Sequence, residues 1–176
     1  MHNYLVVSAI GNDQIGIVEK LANLAAKYNC NIIDSRIAVL GGECTAIFMV
    51  GGEWNAITQM ETAIPTLAQS LNLTSVAKRT NHISAQPELL PYSVRVIALD
   101  VPGVSAKISG FFSGNEINIE EFYSHSYKAP ITEAPMVKIR LLLSIHTSCH
   151  IAELKERFSL FCEENNLDAT LSPIHY

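Results

Sequence analysis

Apolar residues in this chain alternate between two spacings. "YLVVSAI" at residues 4–10 is an apolar run of strand length, and Ile17, Leu21, Leu24 and Tyr28 then recur at helical spacing. Alternating runs follow on either side of Gly41-Gly42, a pair that favours a tight hairpin. Ile57, Met60, Ile64 and Leu67 mark a second helix, and "LTSVAKR" a fourth strand. The whole pattern then returns. Gly16 set on Gly103 is a shift of 87 residues, and the same shift puts Asp13 on Asp100, Leu21 on Ile108, Leu24 on Phe111 and Asn31 on Asn118. Ile151, Leu154, Phe158 and Phe161 repeat the second helix at a shift of 94. The extra residues fall in the second hairpin, where "YKAPITEAP" carries two prolines.

Each copy therefore predicts the order βαββαβ. Strand one is expected at about 4–10 and 92–99, helix one at 15–28 and 103–114, and strand two at 32–40 and 118–127. Strand three is expected at 44–51 and 136–145, helix two at 54–71 and 149–165, and strand four at 73–79 and 167–175. Domain one spans 1–80, a linker 81–91 and domain two 92–176. Two amphipathic helices on one face of a four-stranded antiparallel sheet make an α+β fold with one core per copy. A copy of this size is marginal alone, so pairing of the copies and of whole chains, a homo-oligomer, is expected.

The stretch "GNDQIG" between strand one and helix one has two glycines spaced as in a phosphate loop. Ile17 and Val18 stand where that loop needs its Lys and its Ser or Thr, so nucleotide hydrolysis is excluded. An RNA-recognition module needs stacking aromatics on strand three; "CTAIFMV" offers Phe48 and "MVKIRLLL" offers none. A phosphoryl-binding enzyme would want Arg in the first turn, and neither "GNDQIG" nor "LDVPGV" has a basic residue.

Composition narrows the field further. The chain has 176 residues, 48% hydrophobic and 16% charged, which fits a well-cored globular protein. A net charge of −5 argues against a broad grip on nucleic acid. No run approaches the ~20 apolar residues of a membrane span, and "MHNYLVV" lacks a secretory n-region, so a cytoplasmic address is expected. Cys30, Cys44, Cys149 and Cys162 form no CxxC pair and are expected as reduced thiols. "HTSCH", with His146, Cys149 and His150, offers too few ligands for zinc.

What the two turns offer is a short carboxylate beside the N–H groups of a helix start. Those N–H groups suit a small carboxylate, and Asp13 or Asp100 suits an ammonium group. Asn31 and Asn118 follow the same helices and are expected to approach the turns. The candidate ligand-binding residues are Asn12, Asp13, Gln14, Ile15, Gly16 and Asn31 in the first copy. In the second they are Asp100, Val101, Pro102, Gly103, Val104 and Asn118. Together they suit a free amino acid. Simpler roles exist for each. The aspartates suit helix N-caps, the glycines close helix–sheet packing, and the asparagines turn positions. Trp54 is expected to pack at a helix start, and Lys78 and Arg79 to lie on a solvated edge.

The D-x-x-G turn, the helix and the Asn-Ile strand opening resemble ACT domains, amino-acid-sensing modules of ferredoxin-like fold. "CNIIDSRIAVLGGE", "GEWNAITQMETAIP" and "KRT" resemble more closely the tandem-ACT family of glycine cleavage system transcriptional repressors. In the second copy "DVPGV" and "INIEEFYS" carry the likeness. ACT turns usually read D-x-P-G; Pro102 fits and Ile15 departs, which predicts a more rigid second turn. The resemblance implies a non-enzymatic regulator with no cofactor and a small amino acid, glycine, as effector. It also implies a DNA-binding transcriptional activator protein as partner, with no direct nucleic-acid contact. A tandem-ACT scaffold without a ligand is the alternative. The two copies and linker use the residues through Tyr176 without a helix-turn-helix, so output is expected to pass through a protein surface.

Overall fold

A computed structural model of the chain describes residues 3–81 and 88–174. The chain forms two compact units, each with its own core. The first runs β1 (Asn3–Asn12), α1 (Ile17–Lys27), β2 (Asn31–Leu40), β3 (Glu43–Gly52), α2 (Trp54–Ser70) and β4 (Leu73–Thr80). The second runs β5 (Leu89–Leu99), α3 (Val104–Gly114), β6 (Asn118–Lys128), β7 (Pro135–His146), α4 (Ile151–Asn165) and β8 (Asp168–Pro173). Both are βαββαβ, with antiparallel sheets ordered β2-β3-β1-β4 and β6-β7-β5-β8. Two ferredoxin-like α+β units are thus present, as the repeat predicts.

The alternation along β1 and β3 divides each sheet into two faces. Leu5, Val7, Cys44, Ala46, Phe48 and Val50 are buried under the helices, which add Ile17, Leu21, Ile57, Met60 and Ile64. In the second unit Val94, Val96, Ile139, Leu141 and Leu143 meet Ile108, Phe112, Leu154 and Phe158. The same bulge recurs in both units, between Ile32 and Asp34 and between Ile119 and Glu121. The Gly41-Gly42 hairpin has positive φ at both residues, the turn that matches strand twist. Each helix is followed by a left-handed residue, Asn29, Asn72, Glu116 or Asn166, which lets the next strand turn back.

β5 starts at Leu89 rather than at residue 92. β7 runs on to His146 and keeps pairing with Leu89, Leu90 and Pro91. Pro91 is tolerated at the end of the β5–β8 ladder: its carbonyl accepts from the Ile174 N–H at 3.0 Å, and its missing N–H costs only the last reciprocal bond. Of the expected linker, residues 82–87 lie outside the described residues. Helix α4 starts at Ile151, since "HTSC" forms a turn closed by a bond from the Cys149 N–H to the His146 carbonyl at 2.9 Å.

The two cores share no residue, and Trp54, the single tryptophan, lies in the first unit. Phe112→Ala should destabilise the second unit by about 3–5 kcal/mol. In urea titrations the circular-dichroism transition should split or broaden while Trp54 fluorescence keeps its midpoint. A fluorescence midpoint that moves equally would mean the two units unfold as one.

Candidate functional site

Between β1 and α1 the backbone passes through Gly16 at φ 93°, ψ 2°, and between β5 and α3 through Gly103 at φ 95°, ψ −9°. This is the left-handed region that favours glycine. A Cβ at either position would meet nothing within 4 Å, so close helix–sheet packing is not the reason for glycine there. The backbone angle is. The two turns match although one has Ile15 and the other Pro102. Ile15 is fully exposed.

The glycines themselves are the N-caps. Their carbonyls accept from the Lys20 N–H at 3.0 Å and the Lys107 N–H at 2.9 Å. No side chain caps either helix, so the N-cap role considered for Asp13 and Asp100 does not hold. The aspartates sit three residues before the cap, each fastened by its main chain. The Asp13 N–H donates to the Gly42 carbonyl at 3.0 Å and the Asp100 N–H to the Pro135 carbonyl at 2.9 Å. Both carboxylates are exposed, and no hydrogen bond or ion pair to them is found among the described residues. The first N–H groups of α1, at Ile17, Val18 and Glu19, lack intrahelical acceptors, as helix geometry requires. Those of α3 are alike, apart from a long 3.4 Å contact from the Val104 N–H to the Val101 carbonyl.

The turns differ in charge and in side-chain commitments. Glu19 places a carboxylate in the first turn of α1, whereas α3 has no acid there. Gln14 donates from Nε2 to the Leu71 carbonyl at 2.5 Å and closes the C-terminus of α2, so it is a structural clasp. Asn12 ends β1 opposite Glu43, and Val101 and Pro102 are exposed beside the buried Val104.

Asn31 and Asn118 do not join the turns of their own units. Asn31 shares a row with Gly51 and Tyr4, at the start of β1, while Asp13 follows the row of Asn12, Glu43 and Leu40 at its end. Eight residues separate the rows of Tyr4 and Asn12, roughly 27 Å at ~3.4 Å each. Asn118 is likewise in the row of Ser144 and Pro91, far from Leu99 and Met136. Nor are these asparagines turn residues; Asn29 and Glu116 take the left-handed positions.

Other features singled out in the sequence resolve as structural. His146 Nε2 lies 3.0 Å from Glu88 and Nδ1 2.7 Å from Ser148. Among the described residues no group of His, Cys, Asp and Glu is placed to hold a metal. Trp54 is 58% exposed rather than packed, because it opens α2 on the outer side; the Arg79 guanidinium covers its ring at 5.6 Å. Arg79 also binds Glu61 and Thr58, so it braces β4 against α2 rather than facing water alone. All four cysteines are thiols, and burial pushes Cys30 up and Cys162 to about 11, which makes both unreactive. A groove of about 740 Å³ runs between α1 and α2, floored by Leu24, Tyr28, Ala63 and Leu67. In the second unit Phe111 and Phe161, whose rings are 4.8 Å apart, stand at the places of Leu24 and Leu67.

Comparison with known proteins adds independent findings. The family model for the ACT domain matches residues 3–78. The chain is 32% identical to the glycine cleavage system transcriptional repressor of Escherichia coli (strain K12), over 99% of this chain and 92% of that protein. The Shigella flexneri protein of the same name matches equally. A solved structure described as a candidate glycine cleavage system transcriptional repressor superposes with a TM-score of 0.76 at 28% identity, covering 100% of this chain and 99% of that one. A protein of unknown role from Galdieria sulphuraria has the same fold, with a TM-score of 0.79 at 21% identity and coverage of 99% and 100%. These curated relatives are named as repressors and not as enzymes.

The geometry of the turns separates two kinds of substitution. Gly16→Ala or Gly103→Ala should cost about 1–2 kcal/mol of stability through the left-handed backbone alone. Asp13→Ala and Asp100→Ala should stay within about 0.5 kcal/mol, because neither caps a helix. Thermal or urea denaturation of the four variants decides it; aspartate losses as large as the glycine losses would restore the capping role.

Proposed function

We propose, for a chain that belongs to the ACT-domain family and within it to the glycine cleavage system transcriptional repressors, that it is an amino-acid-responsive regulator. It senses a small amino acid, glycine first, and modulates transcription of the glycine cleavage system by contact with a DNA-binding activator protein. The observation that carries this reading is the recurrence, in both units, of an unpaired Asp three residues before a glycine N-cap, at a helix start that no side chain caps. The effector carboxylate would sit on the first N–H groups of the helix, where the dipole favours an anion. The Asp carboxylate would take the ammonium group. Asn31 and Asn118 lie too far along their own sheets to complete that contact.

The second turn is the better site. Glu19 repels a carboxylate at the start of α1, and nothing in the first turn of α3 does so. That same repulsion favours a second reading for the first turn, an interaction module without a ligand. Direct nucleic-acid contact is no part of the proposal, since the net charge is −5.

Calorimetry tests the reading. A ligand as small as glycine has few atoms to contact, so binding in the micromolar to millimolar range is expected. A charge-assisted hydrogen bond contributes roughly 1.5–3 kcal/mol, so Asp100→Ala should weaken binding about tenfold or more, and Asp13→Ala less. No heat from glycine, serine or alanine at millimolar concentration leaves the scaffold reading. Binding unchanged in both variants removes the site.

A further inference from the structure

The open sheet faces, away from the helices, differ along the two central strands of each unit. On the first, Ser8 stands beside Ile47 and Ile10 beside Thr45. On the second, the equivalent pairs are Arg95 beside Arg140 and Ile97 beside Lys138. Two guanidinium groups thus face each other across neighbouring strands, an arrangement that disfavours folding because like charges directly opposite repel. Arg95, Lys138 and Arg140 are all exposed, and among the described residues none forms an ion pair. Glu121 and Asp168 stand on the same face, each two residues along from the row of one arginine, so three cations meet two carboxylates there and neither carboxylate lies directly opposite an arginine.

We propose that the open face of the second sheet is a docking surface for an acidic, extended segment of a partner polypeptide. Charge complementarity supplies the anionic requirement, and Ile97 and Leu99, 39% and 56% exposed on the same face, add aliphatic contacts beside the cations. A polypeptide fits better than a nucleic acid. Tyr123 stands opposite Arg140, whose guanidinium already covers its ring at 4.5 Å, so that ring is not free to stack a base. The inference rests on the reading that this protein acts through protein contact, and it does not depend on the effector.

The test exchanges the second face for the first. Arg95→Ser, Lys138→Thr and Arg140→Ile together install the residues that the first unit carries at those places. Fluorescence anisotropy is read with a short labelled peptide of alternating glutamate and valine, and with a single-stranded DNA oligonucleotide of equal charge. The full-length protein should bind the peptide saturably, more weakly as salt rises, and the triple variant should bind about tenfold more weakly or worse. The variant should be at least as stable as the parent, since a repulsive pair is removed. No saturable peptide binding, or equal binding by the variant, overturns the proposal. So does tighter binding of the oligonucleotide with the same dependence on the three residues. Glycine calorimetry on the triple variant keeps the two readings apart, because its heat should match that of the parent protein if the effector site is real.

Discussion

The left-handed backbone at Gly16 and Gly103 is the constraint on which both units turn. A strand leaving the sheet must reverse onto its face to begin a helix, and one residue at positive φ achieves this. Glycine is required there by angle and not by space, since nothing would touch an added Cβ. The same residue then serves as the N-cap without a side chain, so the helix start is left with bare N–H groups. Asp13 and Asp100 are displaced from capping and held by their own N–H groups to Gly42 and Pro135, at the returning end of the neighbouring hairpin. An uncapped dipole and an unpaired carboxylate are therefore by-products of one backbone angle, repeated twice.

Much of this architecture was readable from periodicity. The shift of 87 residues aligns turn, helix and strand, and the bulges at Ile33 and Glu120 obey it too. Boundaries at hairpins and caps were close because glycine and asparagine mark them chemically. The placement of Asn31 was not readable from its closeness in sequence to the turn. A strand–helix–strand crossover makes β2 parallel to β1, so the first residue of β2 lies beside the start of β1 and far from its end. The clasp from Gln14 to Leu71 was also hidden, because it joins residues remote in sequence through a carbonyl that any residue carries. The basic face was visible in principle, as Arg95 opposite Ser8 in the repeat, but its meaning needs the strand register that pairs Arg95 with Arg140.

The two units keep one backbone plan and differ in what they place on it. Leu24 and Leu67 line a groove between the helices of the first, where the second has the paired rings of Phe111 and Phe161. Glu19 burdens the first helix start with a negative charge, and α3 is free of one. Along the two central strands the open sheet face carries Ser8, Ile10, Thr45 and Ile47 in one, and Arg95, Ile97, Lys138 and Arg140 in the other. Duplicated folds tolerate such divergence because the core-facing positions, every second residue of a strand, are untouched by changes on the outward ones.

The central claim is that the glycine-capped start of α3 is the effector site. Amide NMR of the full chain during a glycine titration tests it most directly. The account predicts saturable shifts at Gly103, Val104 and Ser105, with smaller shifts at Gly16, Ile17 and Val18. Saturable shifts centred elsewhere, with both helix starts silent, would contradict it.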